Sequence, residues 1–163
     1  MIEYCKHTDL AWAAGIIDAD GCISIRHHKP SSKQFRHSDT YSLSVSVGMT
    51  HIDAIDKLQD IFQCGNRYIQ KRYDTANHRP MYVWQCCSRD AVTVICFVYL
   101  WLVTKKRQGK LALRFNDLRK VSTGGNGHYV SPAYVHRRHI YYELMKKYNA
   151  RGAQAIALSV YRP

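Results

Sequence analysis

The chain has 163 residues, 46% of them hydrophobic, which suits one domain with a real core and falls short of two. Lys and Arg number 24 against 12 acids, a formal charge of +12 spread along the sequence, so the expected partner is a polyanion unless the chain is simply a basic soluble protein. The six cysteines (Cys5, Cys22, Cys64, Cys86, Cys87, Cys96) form no CxxC pair and no Cys/His ligand spacing, which argues against a zinc knuckle or a disulfide framework. The start is polar (Lys6, His7, Asp9), and the longest apolar run, Val92 to Val103, is shorter than the roughly 20 residues of a membrane span. A soluble, intracellular protein with reduced thiols is therefore expected.

In chain order, Thr8 to Asp18 reads as a helix, with Thr8 as its cap, Asp9 in its first turn and Leu10, Ala13, Ala14, Ile16 and Ile17 as apolar surface. It ends in Asp18-Ala19-Asp20-Gly21. Cys22 to His28 alternates as a strand does, with Ile23 and Ile25 on one face and Ser24, Arg26 and His28 on the other. After a polar loop, Lys29 to Asp39, the stretch Tyr41 to Val47 alternates Tyr41, Leu43, Val45 and Val47 against Ser42, Ser44 and Ser46, and the two strands predict a long hairpin. Thr50 opens a second helix, carried by Ile52, Ile55, Leu58, Ile61 and Phe62 and stopped at Gly65. A second strand pair, Arg67 to Tyr73 and Met81 to Cys87, flanks the turn-rich Asp74 to Pro80, with Asn66, Tyr68, Gln70 and Arg72 in one register. Ser88 is placed to cap a third helix running through Leu102, and a fourth spans Arg107 to Lys120. Ser122 to Gly127 is a loop. Ser131-Pro132 then opens a last helix with Val135, Ile140, Leu144 and Tyr148 inward. His128, Arg137, Arg138 and His139 are expected on a solvated basic face rather than on phosphates. The whole reads as one domain, 1–163, with a core over about 8–121 and a helical extension over about 128–163.

The order α-β-β-α-β-β-α belongs to the α+β class, with helices segregated to one face of an antiparallel sheet and extra helices at the C-terminal end. The other sheet face carries Ser, Arg, His, Gln, Asn and Tyr, which can donate to and accept from base edges in a major groove; an ordinary solvated face would look similar.

Ala13-Ala14-Gly15-Ile16-Ile17-Asp18-Ala19-Asp20-Gly21 resembles the nine-residue signature of the LAGLIDADG homing endonucleases, differing conservatively at its first and fourth positions. Independently of that resemblance, Ala11, Ala14 and Gly15 leave a helix surface almost bare, open to close approach by another helix. Gly15 costs about 1 kcal/mol relative to Ala in a helix, which calls for a packing reason. Both acids sit at the helix end where carboxylates oppose the macrodipole unless a cation offsets them. An Asp-Gly turn that merely ends the helix is the plainer alternative.

The resemblance covers roughly Leu10 to Leu118 and implies an αββαββα core with a saddle-shaped antiparallel sheet, and a site-specific double-strand DNA endonuclease. With one signature per chain, it implies a homodimer whose motif helices meet through Ala11, Ala14, Gly15 and Asp18, bringing two Asp20 carboxylates together. Like charges so placed call for bound cations, and magnesium suits oxygen ligands, with manganese or calcium as substitutes. Asp20, with Ala19 beside it, is the expected metal ligand, and Asp18 supports the helix end. Lys105, in Thr104-Lys105-Lys106-Arg107-Gln108, matches the family's lysine near the attacking water, although phosphate binding is its simpler role. Where the family has a polar residue at the end of its second strand, this chain has Val47 and Gly48, so Ser46, Thr50 or His51 would have to complete the catalytic set. Ser24, Arg26, His28, Ser42, Ser44, Ser46, Asn66, Tyr68, Gln70 and Arg72 are the expected DNA-facing side chains. At ~3.3 Å per residue, each hairpin strand follows about 8 base pairs, and a dimer covers about 16 to 22. Double-stranded DNA is the expected partner, with no membrane and no small-molecule substrate. The rival expectation is a non-cleaving module of the same fold, a maturase or regulator that holds RNA or DNA, favoured by the departure at Val47-Gly48.

Overall fold

The computed structural model describes residues 6–30, 39–70, 79–121 and 131–150. The chain runs α1 (His7–Asp20), β1 (Gly21–His28), β2 (Thr40–Met49), α2 (Ile52–Phe62), β3 (Asn66–Gln70), β4 (Met81–Cys87), α3 (Ser88–Val98), α4 (Lys106–Val121) and α5 (Pro132–Asn149). The four strands form one antiparallel sheet in the order β1-β2-β4-β3. This is the expected α+β arrangement. Period-two alternation sets the two faces: Ile23, Ile25, Tyr41, Leu43, Val45, Val47, Trp84 and Cys86 point into the core, where they meet Ile17, Ile55, Leu58, Ile95 and Phe115 from the helices. Each such side chain contributes about 1.5–3 kcal/mol on burial.

Helix α1 buries Leu10, Ala13, Ala14 and Ile17, one stripe of the 3.6-residue period. It runs two residues beyond Asp18, because the Gly21 N–H still reaches the Ile17 carbonyl, so both acids lie in the last turn. A Cβ on Gly21 would stand 2.6 Å from that carbonyl oxygen, which is why glycine makes the turn into β1. The expected caps Thr8, Thr50 and Ser88 are not realised. Lys6, His51 and Cys87 occupy the cap positions without a side-chain cap bond, because the helices begin where tertiary packing allows. Helix α2 ends at a left-handed Gln63 (φ +49) rather than at Gly65. Gly65 (φ +86) instead turns the chain into β3, where a Cβ would meet the Gln85 carbonyl oxygen and Trp84 Nε1 at 2.9 Å.

Strand β3 is described to Gln70, and the remainder of the expected Arg67–Tyr73 strand, from residue 71, lies outside the described residues. Helix α3 ends at Val98, short of Leu102, and the turn it leaves carries Leu100 and Val103, 77% and 80% exposed. In α5 the Ser131 hydroxyl accepts from the Tyr134 N–H at 3.3 Å and Pro132 follows it, as expected. Its inward stripe differs from expectation. Ile140 and Tyr148 are 44% and 38% exposed, while Met145 is buried and Val135, Tyr141, Tyr142 and Leu144 pack against the core. Two polar anchors set that rotation: Arg138 donates to the Tyr41 carbonyl and stacks 4.6 Å over Phe115, and Asn149 Nδ2 donates to the Ile23 carbonyl at 2.9 Å. Arg138 and His139 are thus half-buried rather than solvated; His139 Nδ1 shares a 3.0 Å hydrogen bond with the Tyr41 hydroxyl, Arg137 is exposed, and His128 lies outside the described residues. No helix among the described residues is long and apolar enough to cross a membrane.

Candidate active site and nucleic-acid interface

The register of the four strands fixes which side chains share the outer sheet face. Cys22, Ser46, Gln85 and Asn66 align across all four strands; Ser24, Ser44 and Cys87 form the next row, followed by Arg26 with Ser42 and His28 with Thr40. On the other side of Gln85 lie Gly48, Val83 and Tyr68, then Met81 with Gln70. Ser24, Arg26, His28, Ser42, Ser44, Ser46, Asn66, Tyr68 and Gln70 therefore all lie on this face as expected; Arg72 is outside the described residues. Arg26, Asn66, Tyr68 and Gln70 are exposed, while His28 is tied to the Ser42 hydroxyl at 2.9 Å. Ser44 differs: at 1% exposure its hydroxyl faces Gln85 Nε2 at 3.0 Å and Cys87 Sγ at 3.8 Å, so it serves its neighbours rather than a ligand. Gln85 is the residue the sequence reading missed. Its strand places Met81, Val83 and Cys87 on the same face, and those apolar neighbours hide the alternation that would have marked it.

At the start of this face, α1 delivers its two acids to different environments. The Asp18 carboxylate accepts the backbone N–H groups of Val103 (2.6 Å), Thr104 (3.2 Å) and Lys105 (2.9 Å), and so caps the approach to α4 from another helix. Its burial raises the pKa, but those three bonds outweigh burial and hold the carboxyl below its ordinary value. The Asp18 carbonyl oxygen accepts from the Thr104 hydroxyl at 3.1 Å and from the Lys105 ammonium, which brings Lys105 to the helix end that carries Asp20. Asp20 and Ala19 are exposed there. His51 is exposed at the start of α2, and no described contact joins it to Asp20 or Lys105. Val47 points inward at 1% exposure, and the Gly48 position is bounded by Met81 Sδ, 3.3 Å from where a Cβ would be. Ser46, opposite Cys22, is the polar β2 side chain nearest to Gly21 on the outer face.

Among the described residues, no three His, Cys, Asp or Glu side chains gather as a metal cage. The donor set is one exposed carboxylate at the negative end of a helix, which fits a hard cation completed by water, phosphate and a second carboxylate from outside the chain. One outward stripe of α1 carries Gly15, with no atom within 4 Å of a would-be Cβ, together with Ala19 and the half-buried Ala11 and Asp18. Ala14 does not belong to it: at 0% exposure it packs in the chain's own core, one position round the helix from Gly15.

A family profile described as LAGLIDADG endonuclease matches residues 13–122. The chain belongs to this family. No curated protein sequence matches it. Among solved structures, this LAGLIDADG chain is similar to the homing endonuclease I-CvuI in complex with its target in the presence of calcium, at 19% identity and TM-score 0.69, over 87% of this chain and 82% of that one. It is similar to the archaeal intron-encoded homing endonuclease I-Vdi141I complexed with DNA, at 15% identity and TM-score 0.67, over 89% and 86% of the two chains. It also matches the LAGLIDADG homing endonuclease I-SmaMI bound to cleaved DNA, at 14% identity and TM-score 0.65, over 92% of this chain but 48% of that one. Identities this low establish the shared fold.

Proposed function

We propose that the chain is a site-specific, magnesium-dependent DNA endonuclease that acts as a homodimer and cuts both strands of a long pseudo-palindromic site. The observation that carries this reading is the end of α1, where an exposed Asp20 follows the Asp18 carbonyl that holds Lys105 and leads directly into β1 of the four-stranded sheet. Pairing is supported by the single motif per chain and by the coverage of relatives: the chain spans most of I-CvuI and I-Vdi141I but 48% of I-SmaMI, which is about two such units long. Duplex DNA is supported by the formal charge of +12 and by the DNA bound in those relatives' structures. I-CvuI has been captured with DNA in both calcium and magnesium, which supports a divalent ion here.

In this reading the Asp20 carboxylates of two chains would hold the divalent ions. A bound magnesium ion supplies Lewis acidity and a water of lowered pKa. Lys105, held by the Asp18 carbonyl, presents its ammonium to the attacking water and to the charge growing on the phosphate. The outer sheet face sets register in the major groove. Ser46 supplies the nearest β2 hydroxyl, in place of the missing strand-end side chain. Incubation with a plasmid library of random sites, with and without magnesium, should yield linear ends only with magnesium, and Asp20→Asn should lower cutting by at least about 10³-fold while sparing binding. Persistent cleavage by that variant would overturn the assignment. The second reading, a non-cleaving DNA or RNA-binding module, is favoured by the inward Val47 and the side-chain-free Gly48. Retained shift-assay binding with no linear product would select it.

A further inference from the structure

Gln85 carries directed hydrogen-bonding chemistry on the outer sheet face. Strand β4 is held between β2 and β3, so the backbone at Gln85 is paired on both sides, to Ser46 and to Asn66. The preceding residue anchors it from below: Trp84 is fully buried, stacks on Phe62 with ring centres 5.6 Å apart, and donates its indole N–H to the Cys64 carbonyl at 3.0 Å. The side-chain amide is itself tied, because one N–H is donated to the buried Ser44 hydroxyl at 3.0 Å. A long polar side chain normally loses rotamer freedom when it engages a ligand, and here part of that loss has occurred before any ligand arrives.

The tie leaves the amide one N–H donor and its carbonyl acceptor. Along the major-groove edge only adenine offers a matching pair, the N6 amino donor beside the N7 acceptor. Guanine presents two acceptors, thymine an acceptor and a methyl group, and cytosine a single amino donor. We propose that Gln85 is a specificity-determining residue that reads one adenine in each half of the site, and that Ser44 is the positioning residue that aims it. The inference rests on the reading of the sheet as a major-groove DNA surface.

The full chain is incubated in calcium with a pool of duplexes randomised over about 24 base pairs, and bound DNA is sequenced. Wild-type protein should select an adenine at one position in each half-site. Gln85→Ala should lower that preference by about 5- to 150-fold at those two positions and leave the rest of the profile intact. Gln85→Glu should turn it towards cytosine, whose amino group a carboxylate accepts. Ser44→Ala should weaken the same two positions severalfold, and Ser44→Thr, which keeps the hydroxyl, should restore them. A merely structural role for Ser44 would lower binding evenly across the site, and that result would overturn its assignment. A Gln85→Ala profile identical to wild type overturns the inference while leaving the endonuclease reading intact. A wild-type chain that selects no sequence overturns both.

Discussion

Asp18 and Asp20 are separated by one residue and have opposite surroundings. Asp18 collects three backbone N–H groups and carries the Lys105 ammonium on its carbonyl, so its charge is spent on structure. Asp20 is exposed, as the proposed metal-binding role requires. Because its folded-state pKa is depressed, the stability Asp18 provides is present above the ordinary carboxylate pKa and is lost as pH falls through the folded value. Asp18→Ala should therefore lower unfolding stability by about 1–2 kcal/mol near neutral pH, the worth of a good helix cap, and Asp18→Asn by less. Urea midpoints should show the gap between wild type and Asp18→Asn closing below the ordinary carboxylate range; a gap unchanged in acid would mean the charge does not matter. At this scale the nine-residue motif assigned Asp18 to supporting the helix end, and its carboxylate does accept the backbone N–H groups that lead into α4. Ser44 and Gln85 were not separable in sequence. Both lie on the polar face, and only cross-strand geometry shows that the serine is buried under the glutamine.

The strands were legible because alternation is a local property that packing only confirms. Helix boundaries were less so. Thr8, Thr50 and Ser88 all have capping chemistry, yet Lys6, His51 and Cys87 stand at the caps, and α3 begins directly where β4 ends rather than after a capping hydroxyl. Ser131 is the exception among the predicted caps, helped by Pro132 directly after it. Helix α5 also shows why an apolar stripe can be misread: its rotation follows Arg138, His139 and Asn149, polar residues that a hydrophobicity pattern assigns to solvent. The buried Met145 is the apolar centre of that docking. Met145→Ala should cost about 2–4 kcal/mol, whereas Ile140→Ala, on the same helix and 44% exposed, should cost less than about 1 kcal/mol. Chemical denaturation of the two variants measures the difference, and equal losses would mean that α5 docks through another face.

At the scale of the molecule, the chain has a core of its own, and in the proposed endonuclease it would supply half of a site. One Asp20, one Lys105 and one polar sheet face can address one strand of DNA, and two-fold pairing is the economical way to address both. If α1 carries the proposed pairing, a single step round the helix decides which residues can take part. Ala14 and Gly15 are adjacent in sequence and equally small, and the sequence reading put both on the interface. Yet Ala14 is buried against the chain's own core, and Gly15 has open space where a Cβ would be. The same enlargement at the two positions should therefore fail in different ways. Ala14→Leu overpacks the core and should destabilise the folded chain by about 1–3 kcal/mol. A Cβ at Gly15 has open space around it, and Gly15→Leu gains up to about 1 kcal/mol of helix propensity. It should leave the single chain folded, losing only the concentration-dependent stability that pairing adds, while preventing close approach of two α1 helices. Sedimentation of Gly15→Leu should then give a monomer that has lost double-strand cutting. A Gly15→Leu chain that still sediments as a dimer and still cuts would rule out pairing through this face.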